Sequence, residues 1–426
     1  MKIISFLGFN NYSETTYIHP SDQSKQSKTA FFQEALVEFY QPEVLYVLLT
    51  DTVATKLPRG ATESNWTALQ KRLAGTVCLE PIYNIPERNT PEDIWTIFEE
   101  VTKCFSDNDR VIFDVTHSFR SIPIVSLLAV SYLRTVKNIT IEALLYGAYE
   151  AKNSETNETP TFDLLPIVKL LDWIAATDRF VKVGDGLPLA ELLKTAIPGA
   201  ERQHNPDVRP LGRQLDQAAK IIAQISQAIA LARPLETLNL TEQLEEILKK
   251  AETSFDQRAK PFNLISEQLL QEYGQFALKE PMATENLAQN LWLQFQMITW
   301  YMARSQTIQA MTLAGEWLIS VVAYRLGSTN LLNHRKQVGF ALNNGLAILR
   351  GETPEGASDF DDSFQALADY QELSQLRGQL SDIRNDLAHV GMRKKYRSAE
   401  SLQKEAQEKI LPKLQVIAQT FLVNPE

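Results

Sequence analysis

Continuous apolar runs alternate with helical stretches over about the first 150 residues, and after Pro166 the strand signal stops. Lys2 to Phe9 reads as a buried strand and Thr29 to Tyr40 as a helix. Val44 to Leu49 is a second strand ending at Thr50-Asp51, and Val77 to Ile85 a third. A helix from Pro91 follows, with Thr90 as its cap. Val111 to Val115 is a fourth strand, Ile122 to Val136 a helix, and Ile139 to Tyr149 a fifth strand. Strands this uniformly apolar, separated by helices, imply a parallel sheet covered on both faces. The pattern predicts a Rossmann-like α/β domain. Polar Glu150 to Asn157 reads as a hairpin tip, with Thr161 to Leu164 returning as a strand.

Beyond it the chain is helical. Leu211 to Ala232 and Thr241 to Ala251 read as helices with Pro234 between them. Leu287 to Leu326 carries apolar residues at helical spacing, with Trp292, Trp300 and Trp317 read as core rather than as base-stacking platforms. Gly327 and Gly345 to Gly356 read as loops, as do His204 and His334. A helix from Phe360 and a final one from Ala399 to Val423 complete the chain. The fold class is therefore α/β plus all-α. The expected domains are an N-terminal α/β domain over 1–170, a helical connector over 171–285 and a helical domain over 286–426.

Composition removes several classes of function. In 426 residues, 44% are hydrophobic, enough for ordinary cores and too many for a disordered chain. The net charge of −10 excludes coating of nucleic acid by bulk charge, so any such contact must be local. Cys78 and Cys104 are far apart and lack His or Cys neighbours at ligand spacing, against a disulfide framework or a structural zinc. The apolar part of the N-terminus is too short for a signal peptide, and no run approaches a membrane span. A cytoplasmic protein without membrane partners is expected.

Two constellations carry chemistry. The first is Ser381-Asp382-Ile383-Arg384-Asn385-Asp386-Leu387-Ala388-His389. On a helix, Asn385 and His389 form an i, i+4 pair, and the long Arg384 side chain can swing across from beside them. The trio offers a proton-transfer group near neutral pH, a fixed cation for phosphate and an orienting amide, as metal-free RNA cleavage requires. Directly after it, Met392-Arg393-Lys394-Lys395-Tyr396-Arg397 is the densest basic run of the chain. Arg393, Lys394, Lys395 and Arg397 are candidates to hold an RNA backbone, with Tyr396 to stack on a base.

The second is Asp114-Val115-Thr116-His117-Ser118-Phe119-Arg120-Ser121-Ile122-Pro123, at the end of the fourth strand. In open parallel sheets ligands bind beyond the carboxyl ends of the strands, near the switch in strand order. A helix beginning near Pro123 suits a phosphate at its N-terminus. The other strand ends bring Gly8, Phe9 and Asn10, Thr50 and Asp51, and Tyr146 to Gly147 to the same rim. Neither a phosphate-loop lysine motif nor the dinucleotide glycine fingerprint is present.

The Asp-Val-Thr-His-Ser-Phe-Arg-Ser-Ile-Pro run resembles the sensor domain of CRISPR-associated CARF proteins, and the Arg384-Asn385…His389 run resembles the catalytic motif of HEPN ribonucleases. Sensor first and nuclease last is the order of the CARF–HEPN ancillary ribonucleases of type III CRISPR systems. The resemblance covers both ends of the chain; the connector matches only in being helical. It implies a ribonuclease, active in antiviral defence, switched on by cyclic oligoadenylate bound across a sensor dimer, with a composite site formed by two HEPN domains. Carried over, His389 assists attack of a ribose 2′-oxygen or protonates the leaving 5′-oxygen, Arg384 stabilises the phosphorane, and Asn385 orients His389 or the phosphate. Single-stranded RNA would be cut without metal or other cofactor, leaving 2′,3′-cyclic phosphate ends. The activator would meet Gly8, Phe9, Asn10, Thr50, Asp51, Thr116, His117, Ser118, Phe119, Arg120 and Gly147. Its sensor motif is most similar to the group answering cyclic tetra-adenylate. A homodimer or higher homo-oligomer is the expected assembly.

Plainer readings stand beside these. Asp382 and Asp386 flank Arg384, so Arg384 and His389 also fit a surface ion-pair pattern, and the basic run also fits a solvated face. His117 and Arg120 fit an ordinary strand-to-helix turn. The competing function is a non-catalytic nucleotide-sensing regulator whose helical half binds a partner or nucleic acid. Such a regulator needs a helix-turn-helix with a basic recognition helix, which is not evident here.

Overall fold

The computed structural model describes residues 1–88, 90–116, 122–354, 356–392 and 396–422. They divide into two compact units, Met1–Asp172 and Trp173–Glu426.

The first unit carries β1 (Lys2–Phe6), β2 (Thr15–His19), β3 (Asp22–Thr29), α1 (Phe32–Tyr40), β4 (Val44–Leu48), α2 (Asp51–Thr55), α3 (Asn65–Leu73) and β5 (Cys78–Ile82). Then follow α4 (Pro91–Lys103), β6 (Arg110–Asp114), α5 (Ile122–Val136), β7 (Thr140–Gly147), β8 (Glu158–Asp163) and the start of α6 (Leu165–Val183). The eight strands lie in the order β3-β2-β8-β7-β6-β1-β4-β5. Five of them, β5, β4, β1, β6 and β7, run parallel. Their apolar residues are shared between two cores, one on each face. Ile4, Phe113 and Leu144 point to one, and Ile3, Leu45 and Ile112 to the other. This is why the strands read as unbroken apolar runs rather than as alternating ones.

The hairpin of β2 and β3 is absent from the sequence expectation. It pairs with itself antiparallel and joins the sheet alongside β8, which returns antiparallel to β7. Strand β3 is Asp-Gln-Ser-Lys-Gln-Ser-Lys-Thr and mostly exposed, so it has no apolar signal to read. It ends at Thr29, where the helix was expected to start; α1 begins only at Phe32. Strand β1 stops at Phe6, three residues short of the expected end, which releases Gly8 to Asn10 into a loop. The helix from Pro91 forms as the sequence indicates. Thr90 Oγ1 accepts from the Asp93 amide while the Asp93 carboxylate accepts from the Thr90 amide, a reciprocal cap.

Among the described residues the regular structure of the second unit is all helical. It comprises α7 (Leu187–Thr195), α8 (Gly199–His204), α9 (Val208–Ala230), α10 (Pro234–Glu242), α11 (Leu244–Arg258) and α12 (Lys260–Gly274). These are followed by α13 (Leu287–Ala303), α14 (Thr307–Arg325), α15 (Leu331–Leu349), α16 (Asp361–Gln365), α17 (Tyr370–Ala388), α18 (Ala399–Glu405) and α19 (Leu411–Phe421). One continuous core runs from Trp173 to Leu422, through both the 171–285 and the 286–426 segments. Trp317 is fully buried in it and its indole N–H donates to the Leu291 carbonyl at 2.7 Å. Trp300 is buried as well.

Several boundaries differ from expectation. Pro234 does not separate two helices but opens α10, where a missing N–H costs nothing. His334 lies within α15, its Nδ1 2.9 Å from Ser328 Oγ, and His204 closes α8. Gly345 is also inside α15, not in a loop. A Cβ there would lie 2.4 Å from Ser374 Oγ and 2.9 Å from a Phe364 ring carbon, so glycine lets α15 press against α16 and α17. The final helix is interrupted by a π-helical turn over Ala406–Ile410. Among the described residues no helix is long and apolar enough to cross a membrane.

Candidate functional site

Among the parallel strands of the first unit, β1 is followed by β4 and β5 on one side and then by β6 and β7 on the other. Strand order therefore switches between β1 and β6, and a crevice opens above their carboxyl ends. A cleft of about 410 Å³ occupies that place. Its walls are the loop after β1 (Leu7, Gly8, Phe9, Asn10, Tyr12), the end of β4 with α2 (Leu48, Thr50, Thr52, Val53), Ile85 and Glu87 beyond β5, and Thr116 beyond β6.

Each wall is fixed locally. Asn65, at the start of α3, donates from Nδ2 to the carbonyls of Gly8 and Asn10, both at 2.9 Å, and so pins the loop after β1. The Gly8 amide donates to Tyr12 Oη at 2.8 Å, and the Tyr12 ring stacks edge-on to Phe31. Thr50 caps α2 by accepting from the Val53 amide. Glu87 accepts from the Thr52 amide at 2.9 Å, and hydrogen bonds from Thr50 and Thr52 hold its carboxyl below the usual range.

Beneath the floor lies a buried polar chain. Asp114 is fully buried; its Oδ2 accepts from Ser5 Oγ at 2.5 Å and its Oδ1 from the Thr116 amide at 2.8 Å. Gln33 donates to Ser5 Oγ and to the Phe6 carbonyl, both at 2.9 Å. Burial pushes the Asp114 carboxyl up to about 6, against the opposing pull of the Ser5 and Thr116 hydrogen bonds. Thr116 Oγ1 in turn accepts from the Gly147 amide at 2.8 Å, so β6 and β7 are tied together at the rim.

Of the expected activator contacts, Gly8, Phe9, Asn10, Thr50 and Thr116 line the cleft. Gly147 is buried just behind Thr116, and Asp51 faces solvent at the start of α2. His117, Ser118, Phe119 and Arg120 lie outside the described residues. Among the described lining residues none is cationic. Tyr12, Thr52 and Glu87 were not anticipated. Glu87 follows the carboxyl end of β5, so the rule that flagged the other strand ends applies to it too.

In the second unit Arg384 sits near the end of α17 and donates from Nη1 to Glu316 Oε1 at 3.1 Å, lying against α14 beside Gly315. Asn385 and His389 are exposed, with His389 at the last cap position of the helix and its amide bonded to the Asn385 carbonyl. The chain then turns away through Val390 and Gly391, both at positive φ (48° and 73°). Arg393, Lys394 and Lys395 lie outside the described residues. Arg397, an expected RNA contact, makes contacts within the chain. Its guanidinium bridges the buried Asp386 at 3.4 Å, Glu405 at 2.8 Å and the Asp382 carbonyl at 3.0 Å, locking the loop after α17 to α18. Glu316 also pairs with Arg335 of α15. Neither Glu316 nor Arg335 was legible as a partner of the motif. Among the described residues no group of three or more His, Cys, Asp or Glu side chains is placed to hold a metal ion.

Residues 2–150 match the family model of the CARF domain of the CRISPR system endoribonuclease Csx1. They are a CARF domain. Downstream of the CARF domain, residues 169–279 match the model of the second domain of CRISPR-associated protein MJ1674. The curated CRISPR-associated protein MJ1674 of Methanocaldococcus jannaschii is 24% identical over 147 residues, 34% of this chain and 22% of that protein. The match thus spans about a fifth of the relative's length. Among solved structures, Enterococcus italicus Csm6 bound to cyclic hexa-2′-fluoro-hexa-dAMP aligns over 99% of both chains with 10% identity and a TM-score of 0.39.

Proposed function

We propose that this protein is a single-stranded RNA endoribonuclease of type III CRISPR defence, activated by cyclic oligoadenylate and independent of metal. The observation that carries this reading is the cleft at the strand-order switch of a CARF domain, in a chain whose α17 ends in Arg384, Asn385 and His389. A cyclic oligoadenylate, with riboses and phosphates to be bonded on several sides, suits a rim of threonines, an asparagine, glycine and aromatic groups such as Phe9 and Tyr12. Cyclic tetra-adenylate is the activator favoured by the sequence of the sensor motif. Two copies of the chain, paired about a two-fold axis, present a repeated rim to a ligand with rotational symmetry and double the sparse catalytic set.

In the 286–426 segment, read as a HEPN domain, the exposed imidazole of His389 serves proton transfer to or from the ribose and the leaving oxygen. The Arg384 guanidinium stabilises the phosphorane, and the Asn385 amide orients His389 or the phosphate. Arg384 must first exchange Glu316 for phosphate, which gives a ligand-driven rearrangement something definite to alter. The test is cleavage of a fluorescent single-stranded RNA in EDTA, with and without cyclic tetra- or hexa-adenylate, for the wild type and His389→Ala. Cutting that depends on one ring and is lost in the variant supports the proposal. RNA left intact under both rings refutes it and favours the non-catalytic regulator.

A further inference from the structure

Arg384 is one of three arginines in the neighbourhood of Glu316, two of which pair with it. Glu316, on α14, accepts from Arg384 at 3.1 Å through Oε1 and from Arg335 Nε at 2.6 Å through Oε2. The third is Arg377, two turns before Arg384 and on the same side of α17, about 10 Å away along the axis. Arg377 is half-buried and is held by a neutral partner, donating from Nε to Asn343 Oδ1 at 3.2 Å. Among the described residues it makes no ion pair. Burial, together with the nearby charges of Arg384 and Arg335, depresses its guanidinium below the ordinary value, although Glu316 pulls the other way. Arg335 and Asn343 lie eight residues apart on α15, and so on one face of it. Among the described residues a polar stripe thus runs between α15 and α17, in which Glu316 pairs with Arg335 and Arg384 and Arg377 has no carboxylate partner. A second cleft, of about 490 Å³, opens beside it and includes Glu316, Arg335 and Ser320 in its lining.

Guanidiniums crowded into a half-buried groove repel one another and cannot shed their protons. The arrangement is short of negative charge, and a chain of phosphodiesters supplies negative charge at regular intervals along a line. We propose that Arg335 and Arg377 form a phosphate-binding track that seats the RNA backbone flanking the scissile bond, with Glu316 as the resident counter-charge that the RNA displaces from Arg384. This rests on the ribonuclease reading for the role of Arg384. The track itself rests on the charge imbalance. Arg335 and Arg377 bind without touching the reacting atoms, so their loss acts on KM, whereas loss of Arg384 acts on kcat.

The experiment measures binding of a short fluorescent single-stranded RNA to the full chain carrying His389→Ala, by anisotropy across a salt series, with cyclic tetra-adenylate present. Arg335→Gln and Arg377→Gln should each weaken binding several-fold, and each should flatten the slope of log K against log salt by about 0.7. Glu316→Gln should tighten binding. Arg377→Lys, which keeps the charge, should recover most of the lost affinity. Affinity and slope unchanged in both Arg→Gln variants would overturn the track. Arg335 is half exposed, so its variant is expected to fold and decides the matter even where Glu316→Gln does not. Cleavage measured in parallel, with His389 intact, separates the two readings. Arginine-dependent binding without ring-dependent cutting keeps the track and removes the nuclease; cutting with arginine-independent binding does the reverse.

Discussion

Asp114→Asn isolates the cost of keeping a carboxylate beneath the CARF cleft. The buried carboxyl has its pKa raised from 3.8 to about 6. A raised value means that the folded protein holds the proton more tightly than the unfolded chain does. This contribution to stability is therefore fully present at low pH and is lost as pH rises through the folded value. A difference of about two pH units at about 1.4 kcal/mol each comes to about 3 kcal/mol, lost between about pH 4 and pH 7. The asparagine is isosteric and cannot titrate. Its Oδ1 still accepts from the Thr116 amide, and its Nδ2 donates to Ser5 Oγ, which has one lone pair left beside the bond from Gln33. Urea titrations of the full chain at a series of pH values, with pulsed hydrogen exchange in β1 and β6 peptides as the readout, follow this unit apart from the helical one. The stability of the wild type minus that of Asp114→Asn should fall by about 3 kcal/mol from pH 4 to pH 7. A difference that stays flat, or rises with pH, would show that Asp114 is not the strained group described here.

Two further substitutions separate positioning from contact. Asn65→Ala removes two of the bonds that hold the Gly8–Asn10 loop, each worth about 1 kcal/mol, and should lower the affinity for cyclic tetra-adenylate by up to about thirtyfold by calorimetry. Unchanged affinity would detach that loop from the ligand. Arg397→Gln removes a cation that Asp386, whose side chain is 3% exposed, bonds, and should lower the melting temperature by an amount matching about 2 kcal/mol. A variant that melts like the wild type would restore Arg397 to the role of a surface RNA contact.

The parallel strands were legible because burial on both faces forces unbroken apolar runs, and Ile3, Ile4, Leu45 and Phe113 supply them. The β2–β3 hairpin was not, because a strand held by backbone ladders at a sheet edge needs no apolar side chains. Gly345 misled for a related reason. Glycine in sequence signals a turn, yet here it marks the close approach of two helices, a property of the partner rather than of the segment. The strand-end residues of the CARF cleft followed from a rule about where parallel sheets bind ligands. Glu316 and Arg335 followed from nothing local, since helix packing alone brings α14 and α15 to the end of α17.

The two outer strands of the sheet are blunted in different ways. Strand β3 offers solvent Lys25 and Lys28 within a fully polar run, and β5 interrupts its outward row of amides with Pro81. Lysine and proline at an open edge discourage another strand from adding on. A protein proposed to work only when copies meet faces a hazard that a solitary enzyme does not, because crowding itself favours runaway fibre growth. These guarded margins leave such encounters to other faces of the molecule and keep the sheet at eight strands.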